Sequence, residues 1–257
     1  GRFQLQPSET AKIAIIIFLA AIITKISKNM GKFSSLLKIS VMILPIIVVI
    51  AFQNLSTAII VLGIAAVMLF VASPKYMQFI LLGILGIGFI VFFIMVAGYR
   101  GERFEIWLHP ENHVKGYQTL QGLYAIGSGG FFGKGLGESI QTNFIPEAEN
   151  DMIFSIICEE LGIFGAICLI FLFLFLIWRL VSIANNAKDL FASMLVIGIM
   201  AHLAIQLILN IAVVTNSIPN TGITLPFISY GGTSILFVMI EMGIALGVSR
   251  QIRIESE

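Results

Sequence analysis

The chain has 257 residues, of which 58% are apolar and only 11% are charged, and its formal net charge is +1. A soluble domain carries roughly 25% charged residues, so this composition excludes an ordinary water-soluble protein. The near-neutral charge also lacks the basic character of a nucleic-acid-binding protein. Apolar runs of about 17 to 25 residues are long enough to cross a hydrocarbon core roughly 30 Å thick. They predict an all-α, polytopic membrane helical bundle.

Seven membrane spans are predicted from these runs, within a single membrane domain over residues 1–257. In chain order they are Ser8–Thr24, Leu37–Phe52, Thr57–Ala72, Met77–Gly98, Met152–Trp178, Leu190–Val214 and Ser229–Val248. The connection after the fourth span, residues 99–150, is too long for a simple turn and contains most of the polar residues. Long connections of this kind often carry function, so the search for a site starts there.

Lysine and arginine are sorted to one side of the predicted membrane. The connections on that side carry nine basic residues and three acids, whereas the opposite side carries six basic residues and ten acids. Cytoplasmic loops are enriched in Lys and Arg. We therefore expect the C-terminus to be cytoplasmic and the long loop 99–150 to be extracytoplasmic.

Three acids, Glu147, Glu149 and Asp151, lie within five residues just before the fifth predicted span. Pro146 and Asn150 beside them are residue types that begin helices, so these carboxylates could simply complement a helix N-terminus in water. Alternatively, a carboxylate that is partly desolvated at the membrane boundary, near other acids, has a raised pKa and becomes a base. Asp151 is the deepest of the three.

Two segments of the long loop carry cations. Arg100 and Arg103 follow the fourth span, where arginines often act as interfacial anchors but can also grip phosphate oxygens bidentately. Residues 127–137 hold six glycines around Lys134, without the Ser or Thr that a Walker A loop requires. A flexible loop at the membrane surface explains this run. Alternatively, its bare N–H groups and Lys134 approach a phosphate-bearing ligand.

Charged residues in the predicted spans need partners. Glu9 and Lys12 are three residues apart, so they share one helix face and can pair. Snorkelling to the surface explains Lys12, whereas a pair that faces the bundle interior would mark a substrate path. Glu241, near the middle of the last span, needs a partner or water. Residues 220–234 combine turn formers with small residues, which favours close helix packing.

Four segments, in the same order and spacing, resemble motifs of the SEDS family, the FtsW, RodA and SpoVE type of membrane protein. Gln6–Lys12 resembles its QPSExxK segment, Ala125–Gly137 its AIGSGGxxGxGxG loop, Pro146–Gly162 its PEAxxDxIFxxxxEELG segment and Gly222–Ser234 its GxxLPFxSYGGxS segment. The residues around Arg100 and Asp151 are more similar to those of the division and sporulation branch of the family than to those of the elongation branch.

The resemblance implies a peptidoglycan glycosyltransferase, which polymerises lipid II by moving a glycan chain from its undecaprenyl pyrophosphate to a sugar hydroxyl. It matches Asp151 to the essential acid of the family, and we assign this residue general-base activation of the acceptor hydroxyl. Candidate substrate-binding residues, the first three for the pyrophosphate, are Arg100, Arg103, Lys134, Glu9, Lys12 and Glu147.

The sequence requires no cofactor. The two cysteines and three histidines lack the spacing of a metal site, so no metal ligand is predicted, and help from a divalent cation is left open. The family pattern also has Glu or Gln and then Pro where this chain has Phe52 and Gln53, so we assign that loop no catalytic role.

Family resemblance also implies partners and missing parts. Family members have ten spans, with the long loop after the seventh, so we expect the first three to be missing here. Family members act with a class B penicillin-binding protein, which is a transpeptidase, and we expect the same partner here. We also expect the chain to bind lipid II and to lie in the membrane of a bacterial cell. A lipid II flippase, or a scaffold for that transpeptidase, are the alternative functions.

Overall fold

A computed structural model of the chain describes residues 6–75, 77–79, 83–84, 86–88 and 99–252; for residues 99–102 and 104 it describes the backbone. Over these residues the regular secondary structure is helical and contains no strand, which confirms the predicted all-α class. The longer helices are α1 (Pro7–Ile26), α2 (Phe33–Gln53), α3 (Leu55–Ala72), α4 (Tyr99–Leu108), α5 (Tyr117–Ser128), α6 (Ile153–Asn185), α7 (Leu190–Val214) and α8 (Gly232–Ser249). Short 3-10 turns are found at Ser27–Asn29, Pro110–Asn112, Val114–Gly116 and Gln141–Asn143.

Six helices in the described part of the chain are long and apolar enough to cross a membrane: α1, α2, α3, α6, α7 and α8. They correspond to six of the seven predicted spans. The remaining one, Met77–Gly98, lies mostly outside the described residues.

The internal contacts divide the chain into two compact units. The first consists of Gly1–Phe92, Ile177–Ile205 and Gly232–Glu257, and the second of Phe93–Leu176 and Gln206–Gly231. The prediction that residues 1–257 form a single domain stays a prediction. Asp151 and the whole of the long loop 99–150 belong to the second unit.

Close packing of apolar helix faces forms the core of the first unit. Ile16 and Leu19 of α1 and Met68 of α3 are almost completely buried. Gly198 of α7 packs against this group: a Cβ there would lie 2.6 Å from Ile16 Cγ2 and 2.9 Å from Met68 Sδ. Membrane helices approach each other closely at such small residues.

The partner that Glu241 needs is His202. Nδ1 of His202 lies 2.9 Å from each carboxylate oxygen of Glu241, and both residues are completely buried in the first unit. A buried acid is tolerated in an apolar environment when it is paired in this way.

In the second unit, α6 is interrupted at Gly162, where φ is 68° and ψ is −170°. Residues 129–135, which we call the glycine loop, dock onto this interruption through backbone hydrogen bonds. These run from Lys134 N–H to Glu159 O (2.9 Å), from Gly135 N–H to Glu160 O (3.0 Å), from Ile163 N–H to Gly130 O (3.0 Å) and from Phe164 N–H to Phe131 O (3.1 Å). The loop thus satisfies backbone groups that a broken helix leaves without partners.

Glycine is required on both sides of this contact. A Cβ at Gly133 would overlap the Glu160 carbonyl, and a Cβ at Gly162 would overlap the backbone of Phe131 and Gly133. Backbone packing therefore explains Gly129 and Gly133 of the glycine run, whereas nothing lies within 4 Å of a Cβ at Gly127, Gly130 or Gly137. The interpretation that its bare N–H groups approach a phosphate is wrong for the amides of Lys134 and Gly135, because both already donate to backbone carbonyls.

Breaking the buried pair of the first unit should destabilise the protein. In Glu241→Leu, Nδ1 of His202 loses its acceptor in apolar surroundings, so the free energy of unfolding should fall by about 3–5 kcal/mol. The double variant His202→Leu/Glu241→Leu removes both polar groups and should recover most of the loss. Thermal unfolding of the purified full-length protein in detergent measures both effects; a single variant as stable as the wild type would contradict the assignment.

Gly133 in the glycine loop and Gly137 just after it allow a matched comparison of two glycines with almost the same φ. Gly133 and Gly137 have φ values of 80° and 77°, but nothing lies within 4 Å of a Cβ at Gly137. Alanine costs similar backbone strain at both sites, so Gly133→Ala should lower the melting temperature by several degrees more than Gly137→Ala. Equal melting temperatures would show that the loop does not pack against α6 as described.

Candidate active site

Asp151 lies in a series of turns directly before α6, which begins at Ile153. The two plausible helix-start residues, Pro146 and Asn150, do not begin this helix. Glu147, directly after Pro146, has a positive φ of 52°, which a right-handed helix does not accommodate, so no helix starts at Pro146. Asn150 stabilises the turn, since its backbone N–H bonds to Glu147 O and its Nδ2 to Glu147 Oε2, both at 2.9 Å.

The two carboxylate oxygens of Asp151 have different surroundings. Oδ1 accepts a hydrogen bond from Nε2 of Gln118 in α5, at 3.2 Å, and the same nitrogen lies 3.3 Å from Pro146 O. Oδ2 faces Gly222, where an added Cβ would lie 3.9 Å from it. One oxygen is therefore held by an amide, and the other is opposite a residue without a side chain.

Partial burial makes the carboxyl of Asp151 easier to protonate than an exposed one. Desolvation raises the pKa of its carboxyl above the ordinary value of 3.8, and the nearby charge of Glu147 raises it further. Hydrogen bonds from the backbone and from Gln118 act in the opposite direction without cancelling the increase. The shift has the direction predicted for a carboxylate at the membrane boundary.

The backbone around Asp151 is fixed by α7. Nδ2 of Asn210 donates to Asp151 O at 2.9 Å and to Ile223 O at 2.7 Å. Ser229 adds a second connection, because its hydroxyl donates to Asn150 O at 2.5 Å. These bonds hold the turn that carries Asp151 against residues 220–229.

Arg103 reaches the same segment. Its Nη1 donates to Asn220 O at 3.4 Å, and Asn220 Oδ1 accepts a hydrogen bond from the N–H of Gly222 at 3.0 Å. Arg103 is exposed, and a guanidinium group has five N–H donors. The structure thus brings one of the predicted cations to the segment that faces Asp151, while the side chain of Arg100 lies outside the described residues.

Lys134 instead forms an ion pair with Glu159, at 2.5 Å from Oε1. Glu159 is completely buried and also accepts bonds from Ser128 Oγ (3.2 Å), Ser139 Oγ (2.5 Å) and the N–H of Gln141 (3.1 Å). In the described geometry, Lys134 therefore compensates a buried charge. That it binds pyrophosphate stays a prediction.

Glu9 and Lys12 form the predicted ion pair, with Lys12 Nζ 2.8 Å from Glu9 Oε1. Their side chains are only 10% and 3% exposed, so the pair faces the interior of the first unit and Lys12 does not snorkel. A role in binding substrate stays a prediction for both residues.

Sequence reasoning missed the amides that surround Asp151. Asn210 had a signal, because His202, Gln206 and Asn210 recur every four residues in an otherwise apolar helix and all three are buried. That period places them on one face of α7. No pattern in the sequence distinguished Gln118, because it is one of several polar residues in the long loop.

Comparisons with known proteins agree with this architecture. The family model for FtsW, RodA and SpoVE, described as cell cycle protein, matches residues 1–254. The chain is 40% identical to stage V sporulation protein E of Bacillus subtilis, over 98% of this chain and 70% of the relative. It is 37% identical to a probable peptidoglycan glycosyltransferase FtsW of Trichlorobacter lovleyi, over 98% of this chain and 68% of the relative.

Solved structures give the same result. A peptidoglycan synthase complex, described for its coordination of polymerization and crosslinking, contains a chain with a TM-score of 0.76 and 25% identity, covering 99% of this chain and 73% of that one. Thermus thermophilus rod shape determining protein RodA has the same fold, with a TM-score of 0.64 at 24% identity over 100% of this chain and 69% of its own. The resemblance carried by the four motifs is confirmed: this chain belongs to the FtsW/RodA/SpoVE family of multi-pass bacterial inner-membrane proteins.

Proposed function

We propose that this protein is a peptidoglycan glycosyltransferase that polymerises lipid II into glycan strands, with Asp151 as its general base, in division or in sporulation septum synthesis. The observation that carries the proposal is the state of Asp151: a partly buried carboxyl with a raised pKa, one oxygen held by Gln118 and the other facing Gly222. The relatives named as FtsW glycosyltransferases and as stage V sporulation protein E support the same reaction and the same branch.

The reaction needs a base at one end and a stabilised leaving group at the other. The Asp151 carboxylate takes the proton of an acceptor sugar hydroxyl while that oxygen bonds to the anomeric carbon of the donor. The bond from this carbon to the pyrophosphate oxygen breaks, and the lipid pyrophosphate leaves with the electron pair. A base is effective when its pKa is close to the working pH, and burial moves Asp151 in that direction.

Cations should stabilise the pyrophosphate as its charge develops. Arg103 is the best-placed candidate, because it is exposed and anchored to the segment that faces Asp151. Arg100 and Lys134 remain candidates, although Lys134 also neutralises Glu159. Among the described residues, no three His, Cys, Asp or Glu side chains cluster so as to hold a metal ion.

The orientation and the partner belong to the same proposal. The basic connections lie in the cytoplasm and the loop with Asp151 lies outside, where lipid II is polymerised. A class B penicillin-binding protein, which crosslinks the strands, is the partner. The similar chain in a complex that coordinates polymerization with crosslinking supports this pairing.

Replacing Asp151 by Asn should abolish glycan synthesis, because the amide keeps the shape of the side chain but cannot accept the proton. The polymerisation rate should fall by at least about a hundredfold, as expected for a missing general base. The assay is lipid II polymerisation by the full-length protein with its transpeptidase partner, with product length read on a gel.

Glu149→Gln is the matched control, since it removes one negative charge from an exposed side chain two residues away. It should polymerise lipid II like the wild type. Undiminished polymerisation by a folded Asp151→Asn variant would exclude Asp151 as the base, and the absence of product from folded wild-type protein would favour a flippase or a scaffold.

A further inference from the structure

We propose that Gln118 is a positioning residue for Asp151, and that Asp151 Oδ2 is the oxygen that takes the proton from the acceptor hydroxyl. This inference rests on the proposed function, because it assumes that Asp151 is the base. It adds which oxygen reacts and which side chain orients it.

Gln118 is well placed to fix the carboxylate. Its Nε2 approaches Asp151 Oδ1 at 3.2 Å and Pro146 O at 3.3 Å, so one amide group contacts both the reacting side chain and the turn before it. Gln118 lies in the first turn of α5, which starts at Tyr117, and a base supported from a helix is held more precisely than one supported from a loop. With Oδ1 bonded in this way, rotation of the carboxylate is restricted and Oδ2 keeps its direction.

Oδ2 faces a residue that has no side chain. A Cβ built at Gly222 would lie 3.9 Å from Asp151 Oδ2. No other heavy atom of the described residues lies within 4 Å of this Cβ, when Gly222 itself and its two neighbours in the chain are left out. The wall opposite the base is therefore backbone, and Asn220 Oδ1 holds it through the N–H of Gly222 at 3.0 Å. A side chain at position 222 would start in van der Waals contact with Oδ2, so glycine keeps this side of the base free of a side chain.

The charges around Asp151 determine what the loss of Gln118 does. The negative charge of Glu147, in the same segment as Asp151, raises the pKa of the Asp151 carboxyl. The hydrogen bond from Gln118 stabilises the carboxylate form and lowers the pKa. Without this donor the pKa should rise further, so a larger part of the enzyme is protonated and inactive at a given acidic pH.

The test is the pH dependence of lipid II polymerisation by the full-length protein with its transpeptidase partner. Gln118→Met keeps the length of the side chain without its donor. We expect the acidic limb of the rate profile to move to higher pH and the plateau rate to fall by about tenfold or more, with little change in the KM for lipid II. Gln118→Glu puts a second carboxyl beside Asp151 and should move the limb further in the same direction.

Gln121→Met, the same substitution one turn along α5, is the matched control and should keep the wild-type profile. An unchanged limb in both Gln118 variants, with or without an even loss of rate at all pH values, would overturn the inference, because a merely structural residue does not change the titration of the base. Gln118→Glu, which keeps the shape of the side chain, decides the question if Gln118→Met folds poorly. If Asp151→Asn is inactive while the Gln118 variants behave like the wild type, this inference alone fails; if Asp151→Asn is active, the proposed function fails as well.

Discussion

The interruption of α6 at Gly162 leaves backbone N–H and C=O groups that the helix itself cannot satisfy, and the glycine loop supplies their partners. In an apolar environment each unsatisfied group costs several kcal/mol, so the loop and the broken helix must form together. This contact fixes the first part of α6, and Asp151 lies two residues before that helix begins. Close contact between two backbones explains Gly129 and Gly133 of the glycine motif, and the same contact holds the part of α6 that follows Asp151.

Two carboxylates close to this contact, those of Glu159 and Asp151, have partners of different charge. Glu159 is completely buried, but it receives Lys134, two serine hydroxyls and a backbone N–H, which together compensate its charge. Asp151 receives a neutral amide from Gln118, and the pKa of its carboxyl stays raised. A lysine beside Asp151 would lower that pKa and weaken the base. The acid paired with a cation, Glu159, therefore fits a structural role, and the acid paired with a neutral amide, Asp151, fits a chemical one.

Several features of the fold and of the candidate site could be predicted from the sequence. Apolar length predicted the six spans that the described residues contain, and the spacing of Glu9 and Lys12 predicted their ion pair. The raised pKa of Asp151 was one of two interpretations of the acids before α6. These features depend on local sequence, where helical period and composition are informative.

Features that depend on distant contacts were not predicted. The bond between Gln118 and Asp151 joins residues 33 positions apart. Nothing in the order of residues indicated that Lys134 would pair with Glu159, or that Glu147 would adopt a left-handed backbone in the turns before α6. Each of these is decided by which segments the tertiary fold brings together.

The central claim is that Asp151 is a carboxyl whose affinity for a proton is raised by its surroundings. Infrared difference spectroscopy measures this directly: the C=O stretch of the protonated acid is followed against pH in the full-length protein, and Asp151→Asn identifies the band. The account predicts that the band disappears with a midpoint clearly above 3.8, the ordinary pKa of an aspartate. A midpoint at or below that value would contradict it, because the carboxylate would then be no better a base than one exposed to water.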